Sequence, residues 1–451
     1  MSNLKQIFPW WLGAVFLCMA GAAAGDTAAG SVGQAYRALL KDARVKAAVA
    51  HIKADDARTF EEQKAIAQIA APPFKEMARA QDYLRRIREC GVDEAAIDAE
   101  GNVVALRKGS GRGPTLVVSA HLDTVFPEGT PLEIRERDGR FHGPGLSDDS
   151  RGLAVLLAIL RSLQVSGVET SGDLLLVGTV GEEGAGDLRG GKALFRDRSE
   201  IDGFISVESP TEDGRLRIVN QATGSHRWLV QFKGPGGHSF MNFGLPSATH
   251  AMGRAIARIS DLRPPAEPRT TFTVGVVSGG TSVNAISAEA HMEVDIRSNS
   301  PAALGELEQQ ILVAIEQGVA EENARWQSRA IQWEKRLTGD RPAGQSAADS
   351  PVVRAAVGSA VALQLPSPTL VASSTDSNVP MALGVPAVTL SGGGAAGGLH
   401  SPQEWFEPRE AWLGAQQVLL TSLALVGVEG VSKPLLRDRE GAHAPSRPVS
   451  F

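Results

Sequence analysis

Six acidic and imidazole side chains stand in short segments that border apolar runs. Val117-Val118 leads into Ser119-Ala120-His121-Leu122-Asp123, Val177-Gly178-Thr179-Val180 into Gly181-Glu182-Glu183-Gly184, and Ser206-Val207 into Glu208. Gly143-Pro144-Gly145-Leu146-Ser147-Asp148-Asp149 lies just before the apolar run Leu153 to Leu163, and a glycine-rich stretch after Leu390 ends at Leu399-His400-Ser401. Gathered in one place without a cation, His121, Asp148, Glu182, Glu183, Glu208 and His400 would repel and desolvate one another. Imidazole with carboxylate suits Zn²⁺, with Co²⁺ or Mn²⁺ as alternatives. The only cysteines, Cys18 and Cys90, supply no thiolate set. Two histidines and three carboxylates exceed one tetrahedral site and suit a pair of ions about 3.5–4 Å apart, with one carboxylate bridging. Asp148 is the best-placed bridge: the Gly-Pro-Gly before it permits close backbone approach, and the helix start after it favours negative charge. Glu182 and Glu183, being adjacent, point to opposite sides, so one can hold an ion while the other takes a proton from an activated water. Asp123 is placed to orient the His121 ring, and Asp149 reads as a helix N-cap.

The elements that must position these residues read as α/β. Residues 31 to 95 have helical spacing broken at Ala71-Pro72-Pro73. Leu116–Val118, Leu174–Val177, Phe204–Val207 and Ala387–Leu390 are continuous apolar runs, which predicts strands buried on both faces of a mostly parallel sheet sandwiched by helices. Ligands of such sheets bind at the carboxyl ends of the strands. Between Pro210 and residue 336 the order becomes β-α-β-β-α-β, that of a ferredoxin-like module inserted into the first domain. The expected division is a catalytic domain at 31–215 and 337–430, a lid at 216–336, and a disordered tail at 431–451.

Composition excludes several classes. A net charge of −6 gives no electrostatic reason for nucleic-acid binding. No G-x-S-x-G elbow and no H-E-x-x-H helix occurs. Lys5 precedes an uncharged run from Gln6 to Gly25 that ends in small residues, which reads as a signal peptide (1–24) and places the mature chain in the periplasm or outside the cell, with no membrane attachment after cleavage. A retained anchor is the competing reading.

HLDTV, GPGLSDDSRG, GEEG, VES, GPGGHSF and GGGAAGGLHS together resemble the motif series of the di-zinc exopeptidases of clan MH, in order, from about Glu61 to Glu407. That group includes glutamate carboxypeptidase, aminoacylase, succinyl-diaminopimelate desuccinylase and tripeptidase T. The resemblance implies His121, Asp148, Glu183, Glu208 and His400 as ligands of two zinc ions per subunit, Glu182 as general base and Asp123 as the partner of His121. It also implies a homodimer formed through the lid. His238 would then reach the neighbouring subunit's site as an oxyanion stabiliser, with Asn284 and Arg297 where similar enzymes hold the substrate carboxylate. The implied activity is hydrolysis of an amide bond in short peptides or N-acyl amino acids. Glu at position 208 accompanies carboxypeptidase or deacylase specificity, while the glycine-rich loop resembles an aminopeptidase of the tripeptidase T kind. A non-catalytic metal-binding scaffold is the alternative of another class. Ser150 and Arg151 depart from the Lys-Gly of many relatives. The Gly392–Gly398 run is expected to lie close to the substrate.

Overall fold

The computed structural model describes residues 31–437. Signal and anchor readings of the first residues lie outside that span.

Helices at 31–39, Ala43–Ala54, Asp56–Ala67 and Met77–Arg88 lead into a nine-stranded sheet. Its spatial order is Glu94–Ile97, Val103–Arg107, Asp173–Thr179, Thr115–His121, Ile201–Glu208, Ala387–Ser391, Arg217–Ala222 and Gly344–Gln345, with Thr369–Ser373 also on Arg217–Ala222. The middle four strands are mutually parallel, and antiparallel strands close both sides. Period-two alternation sends Leu116, Val118, Leu174 and Leu176 into one core, under helices Ser150–Ser166, Pro351–Ala362 and Trp412–Val426. Val117, Leu175, Val177 and Phe204 enter a second core with Leu194 and Met381. Burial on both faces explains why these strands read as unbroken apolar runs.

The inserted module is a four-stranded antiparallel sheet ordered Thr270–Gly279, Glu289–Ser298, Gly224–Lys233, Gln332–Arg341. Helices Ala248–Ser260 and Pro301–Arg325 share one core with it. In Glu289–Ser298 the buried residues Ala290, Met292, Val294 and Ile296 alternate with Asp295 and Arg297, which point to the other face. The ferredoxin-like connectivity is as expected, but its span is not. Arg217–Ala222 pairs with Ala387–Ser391 and so belongs to the central sheet, and the last lid strand runs on to Arg341. The chain changes sheet at Thr223-Gly224, where no proline or charge run marks the switch.

Residues 431–437, expected to be part of a disordered tail, are docked on the domain, and residues 438–451 lie outside the described span. Leu435 and Leu436 donate their amides to the carbonyls of Ala424 and Leu425, and Leu436 is buried. An apolar pair after Pro434 is enough to dock this segment against the end of a helix. Among the described residues no helix is long and apolar enough to cross a membrane.

Candidate metal centre and active site

Three parallel strands and two loops deliver the chemistry. His121 ends Thr115–His121, Glu208 ends Ile201–Glu208, and Glu182 and Glu183 follow Asp173–Thr179. Asp148 comes from the loop before helix Ser150–Ser166, and His400 from the loop between the short strands Ala395–Gly397 and Trp405–Glu407. Asp148 lies at the centre. Its Oδ1 is 2.9 Å from His121 Nε2, and its Oδ2 is 3.1 Å from His400 Nε2. Glu208 Oε2 stands 3.8 Å from His121 Nε2, on the first side. Glu183 Oε1 stands 2.9 Å from His400 Nε2, on the second. Each oxygen of Asp148 thus faces its own pairing of imidazole and carboxylate.

Main-chain groups fix these side chains. Asp123 meets His121 differently from expectation: its carbonyl oxygen, not its carboxylate, lies 2.9 Å from His121 Nδ1. The Asp123 carboxylate is occupied, accepting the amides of Glu182 at 2.9 Å and Glu183 at 2.8 Å. One residue therefore orients the ring and holds the Glu-Glu turn. Asp149 caps the helix by accepting from Gly152, as expected, and also accepts from the amide of His121. Gly145 adopts φ 68°, and a Cβ there would come within 2.7 Å of Thr124, so the loop bearing Asp148 needs glycine at that point.

Electrostatics describe a site short of positive charge. Burial pushes the Glu208 and Glu182 carboxyls well above the usual range, helped by Asp149 and Asp148 for the first and by Glu183 for the second. Burial lifts Asp123 to about 6. Asp148 is the exception: hydrogen bonds from His121 and His400 outweigh its burial and hold it low. The His400 ring, bonded to Asp148 and Glu183, is raised to about 10. A cation relieves this imbalance. Two donors on one ion at about 2.0–2.2 Å in tetrahedral array lie about 3.4 Å apart, within the range of spacings seen around Asp148. The donor set fits divalent ions.

Several contributors escape a motif reading. Glu404, fully buried, accepts the amides of Gly145 at 2.9 Å, Ser147 at 2.8 Å and Asp148 at 3.1 Å, so the loop carrying His400 also clamps the one carrying Asp148. Arg79, also buried, donates to the carbonyls of Ile69 and Leu122 behind His121. Arg341 pairs with Glu182 at 3.0 Å. The only signal for Glu404 was its place four residues after His400. Arg341 sits between an aspartate and a proline, a context that usually marks a turn.

One expectation changes. The glycine run does not line the cavity, whose rim there is Ser391, Leu399 and His400. Instead Cβ atoms at Gly392, Gly393 and Gly394 would strike Arg151, Gly414 and Phe406, so the run serves packing. Arg151, the departure from the motif, donates to the carbonyls of Gly392 at 2.8 Å and Ala411 at 2.7 Å and fastens this loop to the helix after Asp148. Of the lid residues, Arg297 lines the cavity, which measures about 550 Å³. His238 and Asn284 do not line it. They lie exposed beside each other, on and next to the short ladder pairing His238 with Ala285.

The sequence profile of peptidase family M20/M25/M40 matches residues 117–424. The chain belongs to this family. It is therefore a metallohydrolase of the peptidase and amidohydrolase kind, and it carries candidate His, Asp and Glu metal-binding groups. The uncharacterized protein YqjE of Bacillus subtilis is 25% identical over 282 residues, 60% of this chain and 74% of that protein. Carboxypeptidase G2 of a Pseudomonas species is 26% identical over 200 residues, 44% of this chain and 47% of the enzyme. In fold the chain is similar to a Staphylococcus aureus tripeptidase, with TM-score 0.69 at 22% identity over 81% of this chain and 97% of that one. It is also similar to the Bacillus subtilis YXEP protein, a dinuclear metal-binding M20 peptidase, with TM-score 0.62 at 16% identity over 83% and 99%.

Proposed function

We propose that this M20-family chain is a dinuclear zinc exopeptidase or amidohydrolase that cuts one amide bond of a short peptide or N-acyl amino acid, in the carboxypeptidase or deacylase manner. The observation that carries the reading is Asp148, whose two oxygens each face a separate imidazole–carboxylate pairing. His121 and Glu208 would hold one ion, His400 and Glu183 the other, with Asp148 between them. When bound, the ions supply a water acidic enough to ionise near neutrality and a Lewis acid for the carbonyl.

The chain's residues do the rest. Glu182, buried beside the ligands, accepts the proton of the attacking water and passes it to the leaving amine. Arg341 keeps Glu182 in one orientation. Arg297 offers a planar fork to a substrate carboxylate. His238 and Asn284, outside their own chain's cavity, would serve the site of a partner subunit. Support for such a dimer comes from the lid's edge strand, which leaves Val276 and Val277 exposed, and from the nearby loop with Phe240, Met241 and Phe243. A Val277→Asp variant is expected to sediment as a monomer if that edge joins two copies.

Glutamate at position 208 favours the carboxypeptidase or deacylase mode over an aminopeptidase. The test is a panel of N-acyl amino acids, dipeptides and tripeptides with zinc-loaded protein. Turnover of acyl amino acids or dipeptides supports the reading, preference for tripeptides with a free amine moves it to the aminopeptidase mode, and cleavage of none contradicts it.

A further inference from the structure

The cavity has a second wall, built from arginines. Arg217, Arg227, Arg297 and Arg341 all line it. Arg341 is neutralised by Glu182. Arg227 and Arg297 share a single carboxylate, Asp295, at 3.2 and 2.7 Å, which leaves one positive charge uncompensated. The Arg217 side chain makes no hydrogen bond or ion pair among the described residues, and its charge reaches Asp213 only at longer range. Asp213, four positions earlier, is taken by Thr211 at 2.6 Å and Arg215 at 3.4 Å. This wall therefore carries two more guanidinium groups than contacting carboxylates, in a chain whose net charge is −6.

The position of Arg217 follows from the sheet register. Ile218 lies opposite Leu390 and Val219 opposite Thr389 in an antiparallel ladder, so Arg217 falls beside Ser391. Ser391 in turn lies opposite Glu208. At about 4.8 Å per strand, the backbone of Arg217 is about 10 Å from that of a proposed metal ligand. That gap accommodates part of an amino-acid substrate. Val219, Val371 and Ala372 line the cavity too, giving apolar surface for methylene groups.

We propose that Arg217 reads a second carboxylate on the substrate, so that the residue seated against the arginine wall is an acidic amino acid, aspartate or glutamate. Arg297 takes its α-carboxylate and Arg217 its side-chain carboxylate, each through a guanidinium fork. This rests on the hydrolase reading above. It adds a selectivity that none of the six motifs encodes, since Arg217 belongs to no motif.

The experiment compares isosteric pairs on zinc-loaded protein: N-acetyl-L-glutamate against N-acetyl-L-glutamine, and glycyl-glutamate against glycyl-glutamine. Wild type is expected to favour the acid by on the order of tenfold or more in kcat/KM. Arg217→Gln should shrink that ratio to about threefold or less, and Arg217→Lys should restore part of it. A wild-type preference for the amide, or an undiminished ratio in Arg217→Gln, overturns the proposal. Calorimetric binding of free L-glutamate against L-glutamine gives a readout independent of turnover. Hydrolysis without acid preference sinks the role of Arg217 and leaves the hydrolase reading standing. Arg217-dependent glutamate binding without hydrolysis does the reverse.

Discussion

The two walls of the cavity are built in opposite ways. The acidic wall hangs from the carboxyl ends of buried parallel strands, and the main chain holds it: the carboxylates of Asp123 and Glu404 accept five backbone amides between them. The arginine wall comes largely from antiparallel lid strands, and its charges meet side-chain carboxylates: Arg227 and Arg297 sit partly exposed around Asp295, with Arg227 also donating to the Gly184 carbonyl, and Arg341 meets both the carboxylate and the carbonyl of Glu182. The groups proposed to hold a cation are thus immobilised by the main chain, as a fixed coordination geometry would require. The arginines proposed to read the substrate keep more freedom to adjust. Pre-organisation on one wall and adaptability on the other predict different responses to substitution.

The largest effect is expected at the acidic wall. Glu182→Gln should keep its metal yet lose about 10³–10⁴-fold in kcat, read by steady-state kinetics alongside elemental analysis. Full activity in this variant would remove Glu182 as the base. Next is Arg151→Met, which leaves the Gly392 and Ala411 carbonyls without their buried donor. A loss of about 2–4 kcal/mol in urea unfolding is expected. Unaltered stability would mean that the glycine loop is held by packing alone. Glu404→Gln puts an amide N–H where backbone amides now donate, and should weaken metal affinity by about 10–100-fold in chelator competition. An unchanged affinity would show that the Asp148 loop holds its shape unaided. Smallest is Arg297→Ala on the adaptable wall, with KM raised about three- to tenfold and kcat little changed. A kcat collapse there would erase the contrast between the walls.

Much of the acidic wall was legible because its residues sit at the ends of apolar strands, where periodicity announces the strand and burial makes a lone polar side chain conspicuous. His121, Glu183 and Glu208 are of this kind. Residues that act on the main chain left weaker traces. Glu404 works through three amides in a loop more than 250 positions away, and sequence spacing does not encode that contact. Asp123 stands where an imidazole partner was expected, but two nearby amides compete for its carboxylate and win. The glycine run was misread for a related reason: glycine signals close approach without saying to what, and here the neighbours are Arg151, Gly414 and Phe406. In the fold, the β-α-β-β-α-β order of the lid followed from the pattern. Its boundary did not, because nothing in the sequence around Thr223-Gly224 says which sheet the preceding segment Arg217–Ala222 joins.

Metal stoichiometry tests the bridging role of Asp148 most directly. Apo protein titrated with Zn²⁺ and followed by calorimetry and elemental analysis is predicted to bind two ions per chain. His121→Ala and His400→Ala should each retain one, because each removes the imidazole on only one side of Asp148. A single ion per wild-type chain, or loss of both ions in each variant, would contradict the two-sided site.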